Sequence, residues 1–174
     1  MTELNILFVN DINNEKLLTY FINDDEIKDY FKIHNFNGKK KEMLLVPKQY
    51  LKDSKDTLII SISEISNDFD ACYLGAVART KINSECNITF ETGLVDFSQV
   101  ESFTLGLLLS GYKFDKYLSK KDRSEEITLD KSIVNSEQQV TKDAIYFVRD
   151  LVNTPTLDKT PEYFIDEVKK LIQN

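Results

Sequence analysis

Thr57-Leu58-Ile59-Ile60-Ser61-Ile62 is the run from which the fold can be read. Four of its six residues are bulky and aliphatic, which leaves no wet face, so it reads as a strand covered on both sides. The next stretch changes period. Phe69, Cys72, Tyr73, Ala76, Val77 and Thr80 fall at three-four spacing on one stripe, which predicts an amphipathic helix with Cys72 turned into the core. A strand buried on both faces needs helices on both faces. The class this implies is α/β, a three-layer sandwich with a mixed central sheet.

The same grammar extends toward the amino terminus. Leu4 to Asn10 is a second nearly continuous apolar run and a second buried strand. Lys16 to Asn23 reads as a strand, with a short helix as the alternative. Asp24 or Asp25 opens a helix whose buried face is Ile27, Tyr30 and Phe31, extended one turn by His34. Turn chemistry around Gly38 then reverses the chain into a strand from Glu42 to Val46, which Pro47 ends.

Beyond the first helix pair, Asn87 to Glu91 is a strand and Thr92-Gly93 a turn. Ser98 and Glu101 have capping-box spacing for a helix buried through Val100, Phe103, Thr104, Leu107 and Leu108. That helix runs out near Gly111. Lys120 to Glu126 is a charge-rich loop, and Ile127-Thr128-Leu129 a short edge strand. Ser136 and Gln139 repeat the capping-box spacing ahead of a helix with an apolar stripe of Val140, Ala144, Phe147, Val148 and Leu151. A last helix carries Phe164, Ile165, Val168, Leu171 and Ile172 on one face.

Composition narrows the classes of function. With 174 residues, 41% hydrophobic and 29% charged, the chain is long enough to bury roughly 70% of its unfolded surface without disulfides or a metal staple. A net charge of −7 argues against nucleic acid and anionic membranes as partners, since both need clustered Lys and Arg. Cys72 and Cys86 are spaced neither as a metal knuckle nor as a redox pair, and they suit a reducing compartment. With no secretion-signal pattern at Met1 and no membrane-length apolar run, a cytoplasmic location is expected.

Two further stretches are more specific. Arg149-Asp150-Leu151-Val152-Asn153-Thr154-Pro155, followed by Thr160-Pro161, spells a helix that stops at Asn153, an elbow, and an N-cap with proline at the first position of a new helix. About forty residues earlier stands Leu107-Leu108-Leu109-Ser110-Gly111-Tyr112-Lys113-Phe114-Asp115-Lys116-Tyr117. Together they resemble the leucyl aminopeptidase (cytosol aminopeptidase) family, where the first joins the amino-terminal domain to the catalytic domain and the second is a "glycine, tyrosine, basic, phenylalanine, aspartate" run. One departure from the family stands earlier. After the strand at Thr57 this chain has Ser63-Glu64-Ile65-Ser66, where family members often have a glycine-containing turn.

The resemblance implies a macro-domain-like amino-terminal domain at 1–150, with 151–174 a linker helix and the start of a catalytic domain that continues elsewhere. It also implies a parent that is a metalloaminopeptidase, removing N-terminal residues, preferably leucine, with two divalent ions (Mn or Zn), and assembling as a homo-hexamer. The family's Asn-Thr-Asp-Ala-Glu-Gly-Arg signature does not occur here. The expectation is therefore no catalytic, cofactor-binding or metal-binding residue in this chain, no peptidase activity from it alone, and a monomer in solution whose partner is its own catalytic domain.

Tempting single residues have bland readings. His34, the sole histidine, sits at a helix end. Cys86 has no histidine near it in sequence to activate it. Asp24-Asp25-Glu26 and Asp68/Asp70 are acidic groups at helix starts, where the dipole favours them. Arg149 and Asp150 are expected to position the elbow, against a solvated charge pair. The alternative from a different class is a free-standing macro-like binding module for a nucleotide or protein partner. Its difficulty is that pyrophosphate cradles need glycines, and the five here are scattered singly.

Overall fold

The structure, a computed structural model, describes residues 2–82, 86–91, 93–119, 128–129 and 133–173. Strand β1 (Thr2–Val9) leads to a short helix α1 (Glu15–Leu18) and helix α2 (Asp24–Ile33), then strand β2 (Met43–Val46), a 3-10 turn at Lys48–Tyr50 and strand β3 (Asp56–Ser61). Helix α3 (Asp68–Arg79), strand β4 (Cys86–Glu91), helix α4 (Val100–Leu109), strand β5 (Thr128–Leu129), helix α5 (Ser136–Asn153) and helix α6 (Pro161–Gln173) complete the order.

The sheet runs β2-β3-β1-β4-β5. β1 pairs in parallel with β3 and β4, β5 adds in parallel at one edge, and β2 is antiparallel at the other, so the sheet is mixed. Two apolar layers explain why β1 and β3 are apolar almost without interruption. Leu4, Ile6, Phe8, Leu58 and Ile60 point toward α3 and α4, whereas Leu7, Val9 and Ile59 point toward α1 and α2. Aromatic rings fill the first layer: Phe8 lies 4.9 Å from Phe97 and 5.1 Å from Phe103, ring centre to ring centre.

Several expectations need correction. Residues 16–18 hold the helical alternative, with Asn14 capping α1 by accepting the Lys16 amide; Leu17 and Phe21 pack against the sheet, and Phe21 forms an isolated bridge to Leu51. The stripe on α3 is the wrong one. Ala71, Leu74, Gly75, Ala78 and Arg79 are buried, Phe69 is 80% exposed, Tyr73 and Thr80 are exposed, and Cys72 is half-buried rather than in the core. The cause is the approach of α4: a Cβ on Gly75 would collide with the Phe103 carbonyl, and one on Gly106 with the Cys72 carbonyl. Backbones this close exclude large side chains between them.

Both capping boxes also move. α4 starts after Gln99 with no side-chain cap, so Ser98 and Glu101 make no box. α5 is capped one residue early, by Asn135 with Gln138, because an asparagine caps as well as the serine beside it. The charge-rich stretch 120–126, Ile127 and Thr92, and the side chains of Leu171 and Ile172, lie outside the described residues.

Candidate functional site: the clamped elbow

The two sequence runs that carry the family resemblance meet in space. α5 runs alongside α4 from its first turn to its last, held by three side chains that donate to α4 carbonyls. Gln138 Nε2 donates to Glu101 O at 2.8 Å, Tyr146 Oη to Leu108 O at 2.6 Å, and Arg149 Nη1 to Leu109 O at 2.8 Å. The last carbonyls of a helix have no partner within it and carry its negative dipole end, so a guanidinium and a phenol satisfy them. Burial raises the Tyr146 hydroxyl above its ordinary pKa, with the Asp143 carboxylate acting in the same direction.

Past Gly111 the chain folds over the end of α5. Tyr112 Oη donates to Asp150 Oδ1 at 2.7 Å and accepts from Asn153 Nδ2 at 3.0 Å, while the Arg149 guanidinium lies 5.3 Å from the Tyr112 ring centre. Arg149 and Asp150 therefore hold the elbow instead of forming a solvated pair. Thr154, where α5 ends, is 2% exposed, and its amide and hydroxyl both donate to the Asp150 carbonyl, at 2.9 and 2.7 Å.

The far side of the elbow is latched separately. Tyr117 Oη donates to Asp158 Oδ2 at 2.6 Å. Lys116 Nζ donates to Tyr163 Oη at 3.0 Å and lies 4.4 Å from that ring's centre. The Tyr163 amide donates to Thr160 Oγ1 at 3.2 Å, the N-cap that Thr160-Pro161 predicts. Of these groups the sequence marks Tyr112 to Tyr117, Arg149, Asp150 and Thr160. Asn153 is marked there only as the helix end, and Gln138, Tyr146, Asp158 and Tyr163 are unmarked, with only the matched runs on either side to hint at them.

The other candidates stay apart from this cluster and from each other. His34 is exposed at the end of α2 with its ring 4.3 Å from that of Tyr30. Burial pushes the thiols of Cys72 and Cys86 upward, away from nucleophilic use. Asp24, Asp25 and Glu26 occupy the first turn of α2. Asp68 accepts from Ser102, and Asp70 faces Lys41 at 3.5 Å. Among the described residues no three His, Cys, Asp or Glu side chains gather as a metal site.

A cavity of about 360 Å³ opens near the carboxyl end of β1, lined by Ile12, Leu18, Phe31 and Phe36 with Lys28 and Lys32 beside them. The loop after β1 is poorly suited to a phosphate. Its Asn13 and Asn14 amides already donate to Asp11, and the Lys16 amide to Asn14, so these three donors are committed and a carboxylate stands among them.

No protein-family model matches the sequence. Among curated proteins, probable cytosol aminopeptidases from Aquifex aeolicus (27% identical over 164 residues) and Sulfurihydrogenibium sp. (26% over 149) match 86% and 74% of this chain. The chain matches the amino-terminal domain of the cytosol aminopeptidases. It spans about a third of those relatives' length, 33% and 29% respectively. Solved structures agree on the fold. The cytosol aminopeptidase of Coxiella burnetii aligns with a TM-score of 0.70 at 18% identity, over 99% of this chain and 36% of that one. The bottromycin maturation enzyme BotP in complex with Mn gives 0.70 at 16% identity, over the same shares. The fold is thus shared with these solved structures over nearly the whole chain.

Proposed function

We propose that this chain is the non-catalytic amino-terminal domain of a cytoplasmic, metal-dependent leucyl aminopeptidase, and that its elbow sets the direction in which the polypeptide continues into the catalytic domain. The observation that carries this is the match to the leading third of longer aminopeptidases, with both motif runs locked together at the exit of the domain. The domain, macro-like in kind, spans 1–150, and 151–174 is the link. α5 crosses that boundary unbroken and ends at Asn153.

In this reading two divalent ions, Mn or Zn, belong to the catalytic domain. There they would activate a water for attack on the peptide carbonyl. The Mn complex of BotP supports metal use in the parent. The parent is a homo-hexamer assembled through catalytic domains, and the 174-residue chain alone is a monomer. A free-standing nucleotide module is the weaker reading, because the loop after β1 has already committed its amides.

The test is activity on leucine p-nitroanilide with added Mn or Zn. The 174-residue chain should give none, and a polypeptide that continues some three hundred residues further should turn the substrate over. Metal-dependent hydrolysis by the short chain, or a reading frame that stops at Asn174, would end the proposal.

A further inference from the structure

Helix α5 leaves one apolar stripe outside, while its Ile145, Phe147 and Leu151 are half-buried. Its polar and mixed side, Gln138, Tyr146 and Arg149, faces α4, while Val140, Ala144, Val148 and Val152 form an apolar stripe at four-residue spacing that faces solvent. The three valines are 68%, 56% and 71% exposed. A surface helix normally buries such a stripe. Here the clamp bonds to α4 fix the opposite orientation, so the exposure is built in.

The geometry points to this stripe as the docking face for the polypeptide that continues beyond α6, an inference that rests on the function proposed above. Three observations favour that occupant. The curated relatives are about three times as long as this chain, so they supply a large folded body downstream. The stripe ends at Val152, one residue before the elbow, and α6 has 13 residues, a reach of about 20 Å. A body tethered that closely meets the stripe at a high effective concentration. A second copy of the chain is disfavoured by charge, since each carries −7.

Hydroxyl-radical footprinting of the 174-residue chain and of the continuing polypeptide tests this. In the short chain Val140, Val148 and Val152 should label freely. In the long one their labelling should fall to the level of Val46, which is buried within the domain itself. Val148→Asp should leave the melting of the short chain nearly unchanged, because that side chain is 56% exposed, and should restore labelling at Val140 and Val152 in the long polypeptide.

Equal labelling in the two proteins overturns the docking face. So does protection in the short chain that grows with its concentration, which would make a second copy the occupant. Leucine p-nitroanilide turnover by the long polypeptide reports on the functional reading independently. Turnover without protection sinks the docking face alone; protection without turnover sinks the aminopeptidase reading alone.

Discussion

The body of the domain and its exit are held by opposite means. Between α3 and α4, Gly75 and Gly106 let two backbones touch, and the aliphatic rows of β1 and β3 fill both sheet faces, so cohesion there comes from burial. At the exit, α5 keeps its apolar stripe outside and is fixed by bonds from Gln138, Tyr146, Arg149 and Tyr112. Burial tolerates some sliding but no added volume. A hydrogen-bonded clamp tolerates volume but no change of angle, which suits the aiming role proposed for the elbow.

The comparison breaks most sharply at the glycines. Gly106→Ala places a methyl group against the Cys72 carbonyl, in backbone that cannot give way. The expected cost is about 3 kcal/mol, seen as a loss of about 10 °C in Tm. If Gly106→Ala melts like the parent, the backbones of α3 and α4 are not in contact. Arg149→Leu is the matching change at the exit. It keeps bulk but strips the Leu109 carbonyl of its donor, for about 1–2 kcal/mol. Hydrogen exchange should quicken in α5 but not in β1, and uniform quickening would mean that the exit is part of the core.

That contrast also decides what the sequence could tell. β1 and β3 were legible because a strand buried on both faces has only one pattern, an unbroken apolar run. α3 was misread because it is apolar nearly all round, and the large residues Phe69 and Tyr73 drew attention from Ala71, Gly75 and Ala78, whose smallness is what α4 requires. For α5 the predicted stripe splits: Val140, Ala144 and Val148 lie on the exposed side with Val152, whereas Phe147 and Leu151 are half-buried. Periodicity says which residues share a face and is silent on what that face meets. Clamp pairs such as Tyr112 with Asp150 lie 38 residues apart, beyond any local rule.

A smaller effect is expected at the turn after β3. Exposed Glu64 has φ +64, a left-handed conformation that costs a residue with a side chain roughly 1–2 kcal/mol. It falls in the turn where the resembled family often carries glycine. Glu64→Gly removes that strain and adds freedom to the unfolded chain, so a net gain of about 0.5–1 kcal/mol in urea unfolding is expected. A loss would show that the Glu64 side chain contributes something its exposure does not suggest.

The mildest change is a titration confined to the exit. The Tyr117 hydroxyl is raised above the ordinary 10.0, first by its hydrogen bond to Asp158 and then by desolvation and that carboxylate's charge. Tyr112 is raised too, first by desolvation, with Asp150 adding to it and Asn153 opposing. Folding thus favours the protonated phenols. Their contribution is complete below pH 10 and disappears as pH rises through the higher folded value. Absorbance at 295 nm, compared with Tyr117→Phe to isolate that ring, should show Tyr117 ionising late, and Asp158→Asn should bring its midpoint down toward 10.0. Tyr117 and Asp158 are exposed, so screening keeps the effect on global melting small. If the Asp158→Asn curve superimposes on that of the unaltered chain, the Tyr117 latch is open in solution, and the far side of the elbow is held by Lys116 and Tyr163 without it.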